Sequence, residues 1–262
     1  MPYRTDVEVG GRKTAIDDEQ LKKLMASNRP NIIQRNKFRM VTLTLIAINV
    51  FVFALEMALS GFRVNIPTGV LVNMGAMYAP LIQSVGDVYR FVTPMFLHVD
   101  LMHLGFNMVA LFSVGEVLER VLGKGNYLLL YFIGGITGNA LSYAADIFTA
   151  GAPAVSAGAS TSVFALFVAV ALLGVLHKSN RSYFAQYSKS MLAIIGVNVA
   201  YTFLIPSISI SGHLGGALGG LIAMFMIPAK SLRVKTPVRI IVAVLWVASL
   251  VYLLVSQGVI GR

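Results

Sequence analysis

The chain contains no cysteine, which excludes disulfides and thiol catalysis and leaves its compartment open. Charge is scarce: 12% of the 262 residues are charged, about half of what a soluble domain carries. No HExxH element occurs and there are only four histidines, a poor ligand set, so neither a metal nor any other cofactor is expected. Long apolar runs replace alternating ones, which favours helices over a barrel as the spanning element. No short apolar segment with a small-residue cleavage site opens the chain, so no removable signal peptide is expected, and the first span is expected to target the protein by itself.

What is present is apolar. Hydrophobic residues make up 56% of the chain, with a mean hydropathy of +0.76. Seven stretches approach the ~20 residues that cross a bilayer: about 41–59, 98–119, 126–148, 160–177, 190–206, 211–228 and 238–257. The expected fold is an all-α membrane bundle of seven transmembrane helices. Residues 1–39 read as a cytoplasmic tail, with either a short amphipathic helix over Thr14–Ser27 or little fixed structure. The segment 60–97 is a long apolar loop, expected to lie partly in the membrane interface.

The net charge of +10 invites a nucleic-acid partner, and the positions of the charges argue against one. With the N-terminus cytoplasmic, the inner segments hold nine Lys/Arg in 1–39, then Arg120 and Lys124, then Lys178, Arg181 and Lys189, then Lys230, Arg233, Lys235 and Arg239. Only Arg63, Arg90 and Arg262 of the 21 remain outside. That is the positive-inside pattern, and it puts the C-terminus outside.

Two polar groups then stand out, each ringed by glycine and alanine inside a span: Ser160 in Gly158-Ala159-Ser160-Thr161, and His213 in Gly212-His213-Leu214-Gly215-Gly216. A histidine in hydrocarbon is costly and needs a reason, and small neighbours let helix backbones approach. A hydroxyl against an imidazole is the minimal apparatus of nucleophilic catalysis. In the orientation set by Lys and Arg alone, both groups fall at one depth below the outer surface. His103 and Asn107 stack on one face of the second span, with His98 near its outer end, as donors for a developing oxyanion. Taken singly each has an ordinary reading: Ser160 as a helix cap, His98 and Asn107 as interhelical glue, and Asp100 as a solvated residue. The spacings Gly215/Gly219 and Gly216/Gly220 read as packing motifs. The conjunction at one depth favours chemistry.

With these residues the chain resembles the rhomboid intramembrane serine proteases from about residue 40 to 228. The motifs are Gly158-Ala159-Ser160, His213-Leu214-Gly215-Gly216, the series His98, His103 and Asn107, the element Asp87-Val88-Tyr89-Arg90, and Glu119 to Gly123. The resemblance implies Ser160 as nucleophile and His213 as general base and acid. It implies an oxyanion hole from the Ser160 backbone N–H, His98 and Asn107, with His103 supporting that helix. Phe164 would pack beneath His213, and Arg90 with Glu119 would brace the loop. Implied partners are the lipid bilayer and transmembrane-helix substrates, and the implied location is a multi-pass position in a bacterial cell membrane. Residues 40–228 would form the six-span core, and 229–262 a cytoplasmic linker with an added seventh helix. Two departures are Thr161, where the family commonly has glycine, and Tyr89 in place of tryptophan. A β-branched residue at 161 is expected to narrow the approach to the serine. The rival readings are a silent rhomboid-like escort of membrane clients, whose relatives usually lack the serine or histidine, and a solute transporter, for which the sequence offers no convincing repeat.

Overall fold

The computed structural model describes residues 5–9, 12–16, 39–149, 152–190, 196–197, 199–200 and 209–261. Two compact units divide at residue 37. In the first, β1 (Thr5–Val9) and β2 (Arg12–Ile16) pair antiparallel, Thr5 opposite Ile16 and Val9 opposite Arg12. This differs from the unstructured tail or amphipathic helix expected in residues 1–39. Asp6-Val7-Glu8-Val9 alternates with period two, which suits a strand, and Gly10-Gly11 is a hairpin signal. Thr14–Ile16 are therefore extended, not helical, and the rest of the stretch to Ser27 lies outside the described residues.

The second unit is helical: α1 (Met40–Leu59), the short α2 (Thr68–Asn73), α3 (Leu101–Leu122), α4 (Lys124–Phe148), α5 (Ser160–Leu176), α6 (Arg181–Ser190), α7 (Ile210–Met226) and α8 (Thr236–Ser256). Four of these, α1, α3, α4 and α8, are long and apolar enough to cross a membrane, while α5 and α7 are apolar but shorter, at 17 residues each. The expected fifth span, 190–206, falls almost wholly outside the described residues. Just before it, Arg181–Ser190 forms a helix where only a connecting segment was expected. Gly174 of α5 admits it, since a Cβ there would stand 3.1 Å from the Ala185 Cα.

Glycine faces set the core. On α7, a Cβ at Gly216 would lie 2.1 Å from the Thr161 carbonyl oxygen of α5, and one at Gly219 would lie 2.8 Å from the Gly134 Cα of α4. One helix thus presses against two backbones through adjacent small-residue rows, which is how helices associate where lipid offers no hydrophobic drive. α5 is buried over most of its length, as an all-round apolar helix tends to be, with Ala171 and Val175 exposed towards its end. α8 has no buried residue and stands at the edge, where Trp246 Nε1 donates to Thr137 Oγ1 of α4 at 2.9 Å.

The loop between α1 and α3 is built, not slack. It holds α2 and three 3₁₀ turns. The buried Arg90 guanidinium donates to the carbonyls of Val72 (3.0 Å) and Ala76 (2.9 Å), and its charge lies over the Tyr89 ring. Asp87 accepts from the Ser84 hydroxyl and the Ser84 and Gln83 N–H groups. Met77 and Phe91 pack with Val259, just beyond α8.

Candidate functional site

α5 starts at Ser160, and its cap position is Ala159, which has no capping side chain. The capping reading of Ser160 is thereby set aside: its hydroxyl belongs to the first helical turn and is buried. The strip leading into it is sewn to the loop between α1 and α3. Ser156 and Met77 exchange backbone hydrogen bonds of 2.9 Å in both directions, and the Gly158 N–H donates to the Pro94 carbonyl at 2.8 Å.

Gly158 has φ +142, a region that side chains avoid. A Cβ there would stand 2.5 Å from His103 Cε1, 2.9 Å from His103 Nε2 and 3.2 Å from Ser160 Oγ. The imidazole of His103 and the serine hydroxyl therefore converge on one point, which the missing side chain keeps open. Asp100 caps α3 by accepting from the His103 N–H at 2.7 Å, so it is a structural cap and not the solvated residue expected. Asn107, one turn on, donates through Nδ2 to the His103 carbonyl at 2.8 Å; a primary amide carries a second N–H.

His98 stands beside this pair, its ring edge-on to His103 with centroids 5.3 Å apart. Its Nε2 accepts from the Ala159 N–H at 3.5 Å, one residue before the serine. Its backbone N–H donates to the buried carboxylate of Glu56 at 3.0 Å. Glu56 escaped sequence reasoning, although a lone acidic residue within the first span is the signal that should have marked it.

His213 enters from α7, whose cap Ser209 accepts from the Gly212 N–H (3.0 Å) and shares a hydrogen bond with Ser142 of α4 (2.8 Å). The His213 ring lies flat on Phe164, centroids 4.2 Å apart and planes 17° apart. Phe164 follows Ser160 by four residues, one turn on the same face of α5. His213 is also within electrostatic reach of His103.

Two supporting expectations need correction. Glu119 does not brace the loop with Arg90. It sits near the opposite end of α3 and accepts from the Val41 N–H, the Thr42 N–H and the Thr42 hydroxyl at 3.0–3.1 Å, satisfying the open N–H groups at the start of α1. Thr161 does not hang over the serine either: its side chain packs into the space left by Gly138 of α4, where a Cβ would stand 2.6 Å from Thr161 Cβ.

The model of the Rhomboid domain matches residues 85–230, a stretch that contains all of these groups except Val41, Thr42, Glu56 and Met77. The chain belongs to the rhomboid family. With several long apolar helices, this rhomboid is a multi-pass membrane protein. It is similar to rhomboid protease GluP of Bacillus subtilis (strain 168), 37% identical over 182 residues, which cover 70% of this chain and 34% of GluP. It is also similar to the putative rhomboid protease YdcA of the same organism, 34% identical over 148 residues, 56% of this chain and 71% of YdcA. A third relative is Rhomboid-type serine protease 2 of Emericella nidulans, 32% identical over 136 residues, 51% of this chain and 25% of that protein. The chain thus spans about a third of the length of GluP.

Proposed function

We propose that this rhomboid is an intramembrane serine endopeptidase that cuts transmembrane segments of other proteins near the outer face of a bacterial cell membrane. The observation that carries the reading is the convergence at Gly158 of Ser160 Oγ and an imidazole, with a second imidazole seated on Phe164 one turn away. The N-terminus is cytoplasmic, residues 40–228 form the six-span core, and the seventh helix leaves the C-terminus outside, as the Lys/Arg distribution favours.

His213 takes the Ser160 proton as Oγ bonds to the substrate carbonyl carbon. The tetrahedral anion is held by the Ser160 backbone N–H, the second Asn107 N–H and an imidazole N–H. That His103 Nε2 and Ser160 Oγ both border the space at Gly158 favours His103 over His98 for that last donor, with His98 and Glu56 behind it. Collapse breaks the C–N bond, His213 gives its proton to the leaving amine, and water then hydrolyses the acyl-enzyme. Packing on Phe164 orients the imidazole, the task an aspartate performs in the Ser-His-Asp triad.

Labelling the purified protein with a fluorophosphonate probe tests the reading. Label on the wild type, absent from Ser160→Ala and His213→Ala, is the expected result. An unlabelled wild type that stays folded would instead make it a silent escort of membrane clients.

A further inference from the structure

At the end of the bundle opposite Ser160, where α1 begins and α3 and α5 end, lies a cavity of about 890 Å³, within the usual size range of ligand sites. Arg39, Glu116, Arg120, Phe112, Asn180 and Phe184 contribute to its wall. Glu116 is salt-bridged to Arg39 and Arg120 together. One carboxylate shared by two guanidinium groups leaves the cluster net positive. Arg39 is further held over the Phe112 ring, 5.0 Å from its centroid, so the charge is positioned and not merely solvated. Both arginines keep appreciable side-chain exposure, 38% and 55%.

We infer that this cavity is a binding site for the phosphate-bearing headgroup of an anionic lipid. Guanidinium groups match a phosphate with paired N–H donors. Basic pockets between helices at the inner membrane face bind such headgroups. The wall is amphiphilic, combining the arginines with Phe112 and Phe184, and Phe112 is about half exposed at 47%, an apolar surface that suits an acyl chain better than a free anion. Lys178, Arg181 and Arg233 lie at the same end, where Arg233 donates to the Lys178 carbonyl at 2.5 Å and Arg181 to the Val175 carbonyl at 2.8 Å. These charges raise the local concentration of anionic lipid.

A ligand that binds only the folded state raises the thermal midpoint. The purified full chain in neutral detergent micelles doped with phosphatidylglycerol should therefore melt several degrees higher than with phosphatidylcholine. Arg120→Gln should remove at least half of that difference. Asn180→Asp, which adds a negative charge at the rim without touching the salt bridges, should do the same and serves if Arg120→Gln fails to fold. Arg233→Gln, outside the cavity, should keep most of the shift. The inference is overturned if the two lipids stabilise equally, if inorganic phosphate alone reproduces the effect, or if the shift survives Asn180→Asp. None of these readouts depends on protease activity.

Discussion

The His213 imidazole lies nearly parallel to the Phe164 ring, 4.2 Å from it. Such contacts are worth about 0.5–1.5 kcal/mol beyond buried area. Phe164→Ala should lower kcat roughly three- to tenfold with little change in KM, measured on a fluorogenic transmembrane peptide, because an unsupported ring spends less time aimed at Ser160. An unchanged kcat would mean that something else holds the imidazole.

Ser160→Ala should abolish turnover, whereas Asn107→Ala and His103→Ala should each cost about a hundredfold in kcat, the usual loss for one oxyanion donor. His98→Ala should cost less in kcat and more in thermal stability, since its ring accepts from the buried Ala159 N–H. Equal or larger kcat loss at His98 would return it to the oxyanion role.

Gly158→Ala combines a disfavoured φ with a collision against the His103 ring. Fluorophosphonate labelling should fall more steeply than the melting temperature. By contrast, Thr161→Ser should be nearly silent in labelling, because that side chain faces Gly138 and not the serine. A gain of labelling in Thr161→Ser would revive the crowding it was expected to cause.

Acidification acts in two places. As a base His213 must be neutral, so kcat/KM should drop about tenfold per pH unit once the ring is protonated. Separately, the Ser84 hydroxyl and then the Gln83 N–H hold the Asp87 carboxyl below its ordinary value. A lowered carboxyl stabilises while ionised, and that contribution is lost as pH falls through the folded value. Amide exchange at Gln83 and Ser84 should accelerate below about pH 4, near the ordinary carboxylate range. Asp87→Asn should erase that pH dependence while the exchange stays fast throughout.

Val259 is buried with Met77 and Phe91, and Met77 pairs with Ser156, two residues before Gly158. Val259→Asp buries an unpaired charge there, a change of about 3 kcal/mol or more in an apolar site. Slower labelling of Ser160 than in Val259→Ala would show that the tail beyond α8 steadies the serine strip.

Membrane class and the glycine rows of α7 were legible in the amino-acid order, which also singled out Ser160 and His213 as the two polar groups to examine. Each depends on local pattern: apolar length, a polar group among small residues, and a four-residue period. Those features follow from helix geometry and the cost of polarity in lipid, which act within one segment. Which histidine meets the serine, where Glu119 bonds, which way Thr161 points and what Glu56 holds were decided only by the assembled bundle. Glu56 and His98 are 42 residues apart and Glu119 and Thr42 are 77 apart; such partners are set by helix rotation and depth. His98 precedes α3 and His103 lies in its first turn, and no property of either residue alone says which one meets the serine. The tertiary packing does so, because it is the His103 ring that borders the space left open at Gly158.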